Sequence, residues 1–344
     1  MEQSAIINAF IELSNTLSNA IDHPESESGK KIHQTFRLAI EANRWFTEDS
    51  ITQSMRGVIS MLEDLKKPDV LNKIKYNEHP AIVALIMAGN IPMVGFQDFL
   101  HVLLTGNIAL CKLSDDDRIL LPSLVEFLTD SEPQLKDYIR FSHGKISGFD
   151  AVIATGSNNT ARYFEYYFGK YEHIIRKNRN SIAVLTGNES IEELSRLADD
   201  MFIYFGLGCR NVSSLIVPEN YDFTQLISAC EKHFGCTSHT KYMNNYDYYR
   251  AIHMVNVTPF IDGGFFILLE TEIISSPPGI IHYRKYKNIS EAAAIVKSAN
   301  EQLQCVVSSH NEIPGAIPFG TTQQPELLDF ADGVNTIEFL NSLK

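Results

Sequence analysis

Over the N-terminal part of the chain, apolar residues recur at helical spacing. Ile6, Ile7, Phe10, Ile11 and Leu13 mark one face across residues 5–21, and a second such stretch covers 32–42. The segment His23-Pro24-Glu25-Ser26-Glu27-Ser28-Gly29 combines turn formers with charge and predicts a break between them. From His79 the texture changes. Residues 81–88 are a solid apolar run, the pattern of a strand buried on both faces. Gly89-Asn90-Ile91-Pro92 follows as a turn, 95–104 as a helix that Gly106 can end, and 108–113 as a second strand. A helix over 120–128, a strand over 151–154, a helix from about Asn158 and a strand over 181–185 continue the alternation. Strands alternating with helices predict an α/β fold with a parallel, Rossmann-type sheet covered on both faces.

Ser190 and Glu193 form a capping box, after which Ile191, Leu194, Leu197, Ala198 and Met201 mark one helix face. This helix runs into Gly206-Leu207-Gly208-Cys209-Arg210-Asn211, and 212–217 reads as a strand stopped by Pro218. Cys209 therefore lies in a tight turn between helix and strand. Beyond Pro218 the pattern is mixed, with helices over 223–234 and 290–300.

Composition narrows the classes. The 344 residues suit one large or two ordinary domains, and an apolar fraction of 44% suits a sizeable core. With 29 basic and 42 acidic residues the net charge is −13, which argues against a nucleic-acid backbone binder. The start, Met1-Glu2-Gln3-Ser4, lacks the basic and apolar regions of a secretory signal, and no apolar run is long enough for a membrane span. Five widely spaced cysteines then suggest reduced thiols in a cytoplasmic protein.

Cys209 is the sharpest candidate for chemistry. Its flanking glycines permit close backbone approach and positive φ, and Arg210 beside it would favour the thiolate, the form that attacks a carbonyl carbon. The alternative is a small buried apolar residue. Asn90 ends the apolar strand at its carboxyl end, where open α/β sheets place ligands. Its amide could donate to an oxyanion or merely form the turn. Thr155-Gly156-Ser157, between strand and helix, suits either a pyrophosphate or a plain N-cap. Lys112, at a strand end, could reach a ribose or phosphate or simply be solvated. The run Cys230, His233, Cys236, His239 uses zinc-type ligands, but tetrahedral sites usually pair ligands from separated segments, so no metal is expected. Asp115-Asp116-Asp117 reads as solvated helix-start charge.

In this order the pieces resemble the aldehyde dehydrogenase superfamily, and within it the acyl-CoA reductases related to the fatty acid reductase of bacterial luminescence. The resemblance runs from about His79 to the C-terminus. Ala88-Gly89-Asn90-Ile91-Pro92 is similar to the segment whose asparagine helps form the oxyanion hole. Leu104 to Lys112 resembles the strand whose lysine contacts the adenosine ribose, and Thr155-Gly156-Ser157 resembles the loop beneath the cofactor pyrophosphate. Phe205-Gly206-Leu207-Gly208-Cys209 is similar to the nucleophile segment. Pro318-Phe319-Gly320 and the stretch from Asp329 to Leu340 resemble the reductase branch in particular.

Two departures matter. Hydrolytic members carry a glutamate upstream of the cysteine that activates water. The corresponding stretch here, residues 173–180, has no carboxylate, which disfavours hydrolysis of a thioester and favours exchange with a thiol such as CoA. The basic residues of this stretch, Arg176 to Arg179, could instead meet an anionic ligand. The chain is also shorter than typical members, and the segment that usually holds the nicotinamide ribose is blurred to Glu272-Ile273-Ile274-Ser275-Ser276-Pro277.

The resemblance implies an aldehyde dehydrogenase-like α/β architecture. Residues 1–75 would be a helical segment, 76–180 an NAD(P)-binding domain, 181–316 a catalytic domain carrying Cys209, and 317–344 a returning segment. It implies reduction of an acyl thioester such as acyl-CoA to an aldehyde, with Cys209 and Asn90 catalytic and Lys112, Asp115, Thr155, Gly156 and Ser157 binding the cofactor. Asp115 would accept from a ribose 2′-hydroxyl and repel a 2′-phosphate, which favours NADH, whereas the luminescence branch suggests NADPH. Alternatives are an acyl-phosphate or semialdehyde dehydrogenase of the same fold, or a non-catalytic partner of an acyl-transfer enzyme. A homo-oligomer or an acyl-transfer enzyme partner fits the same reading.

Overall fold

The computed structural model describes residues 1–343 and divides into two compact units. One comprises residues 1–178 together with the chain from Pro325 onward, and the other comprises residues 179–324.

The first unit opens with α1 (Gln3–Asp22), α2 (Glu27–Ala42), α3 (Glu48–Glu63) and the single turn α4 (Pro68–Leu71). In α1 the helical spacing puts Ile6, Phe10, Leu13 and Leu17 on one buried face, where Phe10 meets the edges of Phe96 and Phe99 at 6.4 Å. The break predicted over 23–29 is shorter than the sequence suggested. The Ser26 hydroxyl accepts the Gly29 N–H at 3.0 Å, so Glu27, Ser28 and Gly29 already belong to α2.

The unit continues with β1 (Ile82–Ile86), α5 (Phe96–Leu104), β2 (Ile108–Lys112), α6 (Leu120–Ser131), β3 (Ile139–Phe141), β4 (Ala151–Thr155), α7 (Asn158–Phe168) and β5 (Glu172–Arg176). These strands form one parallel sheet in the order β3-β2-β1-β4-β5. The chain builds outward from β1 to β3 and then crosses to the far side of β1 for β4. Loops at the carboxyl ends of β1 and β4 therefore diverge, the arrangement that opens a ligand crevice in doubly wound sheets. Gly106 ends α5 at φ +78°, beside Tyr76, where a side chain would have no room.

The returning chain is tied to α5. Gln97 Nε2 donates to the carbonyls of Glu326, Leu327 and Asp329, and His101 Nε2 donates to Leu327 O at 2.8 Å. The closing helix, Thr336–Ser342, packs on the same element.

The second unit contains β6 (Asn180–Val184), α8 (Ile191–Phe202), β7 (Val212–Pro218), α9 (Thr224–Cys230), α10 (Thr240–Val255), β8 (Ile261–Asp262), β9 (Ile267–Glu270), β10 (Ile280–Tyr286), α11 (Ile289–Ala299), β11 (Leu303–Val307) and β12 (Ala316–Ile317). Its sheet runs β12-β11-β6-β7-β10-β9-β8, parallel except for the β8–β9 pair. The Ser190–Glu193 capping box starts α8 as the sequence indicates. The helix predicted over 223–234 stops at Cys230, and 3₁₀ turns run on through Glu231–Ser238 around Gly235, which disfavours a continuous α-helix. Residues 317–324 stay with this unit because the buried Asp200 carboxylate accepts the N–H groups of Gly320 and Thr322. Among the described residues, no helix is long and apolar enough to cross a membrane.

Candidate active site

In the first unit the candidate residues emerge along one edge of the sheet. Ile86, Lys112 and Ala154 are register partners at the carboxyl ends of β1, β2 and β4. Asn90 is exposed in the loop after β1. Gly89 before it packs so tightly that a Cβ would lie 2.8 Å from the Ser114 side chain. Two residues after Asn90, the Pro92–Met93 peptide is buried and turns sharply, with Met93 left-handed at φ 59°. The Lys112 ammonium donates to Gly144 O at 3.1 Å.

Asp115 is exposed in the turn after β2, as a run of solvated charge would be, but Asp117 corrects that reading. It is buried, its Oδ2 accepts the Met93 N–H at 2.7 Å, and burial pushes its carboxyl up to about 7. A spacing of two residues in a 3₁₀ turn is enough to move one aspartate from solvent to the interior.

Thr155, Gly156 and Ser157 connect β4 to α7. The Ser157 hydroxyl accepts the Thr160 N–H at 3.2 Å, so it serves as the helix cap, and the Gly156 N–H donates to Arg176 O at 3.2 Å. A Cβ on Gly156 would lie 2.9 Å from the Phe164 ring, which keeps the loop pressed against its helix. The basic stretch read as a possible anion contact is also corrected. Residues 172–176 form the edge strand β5, and Arg176 is buried, ion-paired with Asp98 and donating to Thr336 Oγ1 at 2.9 Å. Lys177 pairs with Glu165 at 2.8 Å, and Arg179 donates to Leu303 O at 3.0 Å.

In the second unit Cys209 lies at the amino-terminal edge of the sheet, just before β7. Gly208 O accepts the Asn211 N–H at 3.0 Å, which closes a β-turn with Cys209 and Arg210 at its two corners. The buried Asn211 side chain holds the turn from inside: Oδ1 accepts the Gly208 N–H at 2.8 Å while Nδ2 donates to Asp200 O and Ile203 O at 3.1 and 2.7 Å. Ser181, opposite Val212 in the sheet, donates its hydroxyl to Cys209 O at 3.0 Å and accepts the Cys305 N–H at 3.1 Å. Before the turn, Tyr204, Phe205 and Gly206 are three consecutive left-handed residues, at φ 58°, 58° and 75°. Left-handed non-glycine residues cost roughly 1–2 kcal/mol each and gather at functional sites.

Of the five cysteines, Cys209 is half-buried and the other four are buried. Burial pushes the thiols of Cys111, Cys230 and Cys236 up, so they stay protonated. The Arg210 guanidinium reaches Thr322 O at 3.3 Å and Cys305 Sγ at 3.6 Å. His233 bonds Asp199 at 2.9 Å, and His239 Nδ1 caps α10 by accepting the Tyr242 N–H. Glu272 is exposed, 3.7 Å from Arg284. Its neighbourhood nonetheless lies beside β7, since Ser213 Oγ donates to Ile274 O and Ser276 Oγ donates to Ser213 O.

Sequence reasoning missed Ser181, Asn211 and Asp200. Their only signal is a polar side chain placed directly before an apolar run.

A family profile described as Acyl-CoA reductase (LuxC) matches residues 19–224, more than half of the chain. No curated protein matches it in sequence. Among solved structures, the aldehyde dehydrogenase KauB from Pseudomonas aeruginosa is similar, with TM-score 0.63, 12% identity, and 91% of this chain and 73% of that one covered. An aldehyde dehydrogenase from Bacillus cereus is similar at TM-score 0.61 and 12% identity, covering 92% of this chain and 75% of the other. An indole-3-acetaldehyde dehydrogenase solved with NAD+ is similar at TM-score 0.60 and 14% identity, covering 91% and 74%. At these identities the structures establish a common fold. The aldehyde dehydrogenase architecture and the sequence match agree: this chain belongs to the acyl-CoA reductase (LuxC) family, enzymes of the aldehyde oxidoreductase class.

Proposed function

We propose that the protein reduces an acyl thioester such as acyl-CoA to an aldehyde, with Cys209 as nucleophile and a nicotinamide cofactor as reductant. The observation that carries this reading is the Cys209 turn. The one half-buried thiol of five stands at the corner of a β-turn whose frame is hydrogen-bonded from within by Asn211 and Ser181. A nucleophile needs access and a fixed backbone, and the buried thiols lack the first.

The Cys209 thiolate attacks the thioester carbonyl carbon, and the developing oxyanion accepts hydrogen bonds from the Asn90 amide and the Cys209 N–H. Collapse breaks the bond to CoA, whose thiolate takes a proton from solvent, and leaves an acyl group on Cys209. A reduced nicotinamide, when bound, supplies the hydride for that acyl carbon. The resulting hemithioacetal oxyanion collapses to the aldehyde and returns Cys209 as thiolate. The cofactor reading rests on the sheet order and on the loops at the carboxyl ends of β1, β2 and β4. There Gly156 leaves no room for a Cβ, and Lys112, Asp115, Thr155 and Ser157 would line the crevice. Absence of a carboxylate from residues 173–180 fits transfer between thiols instead of to water.

The test is NAD(P)H oxidation driven by acyl-CoA, with acyl phosphate as a parallel substrate. Cys209→Ala should abolish turnover and keep cofactor binding, measured by fluorescence titration. Turnover persisting in that variant overturns the role of Cys209, and preference for acyl phosphate overturns the substrate class.

A further inference from the structure

One peptide group beside Asn90 is gripped at both of its ends. The Pro92 C=O accepts from the Ser54 hydroxyl at 2.7 Å, and the N–H of the same peptide unit, on Met93, donates to Asp117 Oδ2 at 2.7 Å. Ser54 comes from the middle of α3, Asp117 from the turn after β2, and all four residues are buried. On the other side of Asn90, Gly89 is pressed against Ser114 with no space for a side chain. Asn90 is thus an exposed residue bracketed by two buried, fixed points. We infer that Ser54 and Asp117 are positioning residues that clamp the Pro92–Met93 peptide and so hold Asn90 where it can donate to the substrate oxyanion. This inference rests on the proposed reductase reading.

First, Met93 is left-handed, a strained conformation for a side-chain-bearing residue that persists only where its surroundings impose it. Second, a buried carboxyl is a costly acceptor: Asp117 is buried, it bonds the backbone N–H groups of Met93 and Leu120, and burial still raises the acid's pKa. Asp117 thereby ties the Met93 peptide to the start of α6, so the loop is anchored to a regular element. Third, rigidity at this point matters for chemistry, since a displacement of about 1 Å in a catalytic group can cost on the order of 10²-fold in rate. The clamp also gives the N-terminal helices a part in the site, through Ser54 of α3.

The experiment compares Ser54→Ala and Asp117→Leu with Ser54→Thr and Asp117→Asn, which retain a hydroxyl and a carbonyl oxygen. Steady-state acyl-CoA reduction is measured in the wild-type and Asn90→Ala backgrounds, and amide exchange over residues 90–95 is followed by mass spectrometry. The first two variants should lower kcat at least tenfold with KM within about twofold, and the conservative pair should recover most of it. In the Asn90→Ala background the same changes should cost nothing further, because effects through one group are not additive. An unchanged kcat, or an equal loss in the Asn90→Ala background, overturns the inference. If the wild type turns over no acyl-CoA, the reductase reading fails separately, and exchange decides the clamp. A tenfold or greater acceleration in Ser54→Ala and Asp117→Leu upholds it, and unchanged exchange overturns it.

Discussion

Two buried groups in the first unit make opposite demands on pH, and their variants should expose each in turn. His101 on α5 is 1% exposed, donates from Nε2 to Leu327 O, and leaves Nδ1 buried with no partner. Burial lowers its pKa from 6.5 to about 4, so it is neutral in the fold and takes a proton only on unfolding. Its contribution is complete above 6.5 and is lost as the pH falls toward 4. Asp117 is the reverse: burial raises its pKa from 3.8 to about 7, so its contribution is complete below 3.8 and is lost as the pH rises through 7. Linkage at 1.36 kcal/mol per unit gives about 2 kcal/mol for each between pH 7 and pH 5, with opposite sign. Acidification over that range weakens the fold through His101 and strengthens it through Asp117, so the two nearly cancel. Asp117→Asn removes the strengthening term, and its stability change from pH 7 to pH 5 should be about 2 kcal/mol less favourable than wild type. His101→Gln removes the weakening term and should move the change about 2 kcal/mol the other way. Urea unfolding at the two pH values measures both, with Trp45, the single tryptophan, reporting on the first unit. Variant profiles parallel to wild type would refute the burial argument for that residue.

Asn211→Ala should destabilise the second unit by about 2–4 kcal/mol, since it leaves the buried Gly208 N–H and two carbonyls without their partner, and denaturant unfolding measures the loss. Iodoacetamide should label one thiol of the native protein well before the others and all five after unfolding, with peptide mapping placing the first label on Cys209. Equal labelling of buried and half-buried thiols would contradict the exposure argument. On the proposed cofactor reading, which sets the exposed Asp115 carboxylate against a 2′-phosphate, Asp115→Ser should lower the KM for NADPH relative to NADH by about tenfold, and coenzyme titration tests it.

Much of the fold was legible along the chain because its determinants are local. The apolar run at 81–88, the capping box at Ser190 and the chain reversal at Gly106 each depend on residues close in sequence. Position β5 was not legible. Its polar composition resembles a solvated stretch, and only pairing with β4 and the partners Asp98 and Thr336 make Arg176 a buried residue. Asp117 was misread for a similar reason, since an aspartate run carries no mark of which member faces inward. Cys209 and Asn90 stood out as reactive or polar side chains at element ends, whereas the residues that hold their loops did not.

The chain by itself determined the alternation of strand and helix, the acidic balance and a short set of reactive side chains, because periodicity and turn chemistry act over a few residues. Tertiary structure decided which of five thiols is accessible, which of three aspartates is buried, and which peptides are clamped. Those outcomes depend on desolvation and on partners brought together from distant segments, such as Ser54 with Pro92 and Ser181 with Cys209.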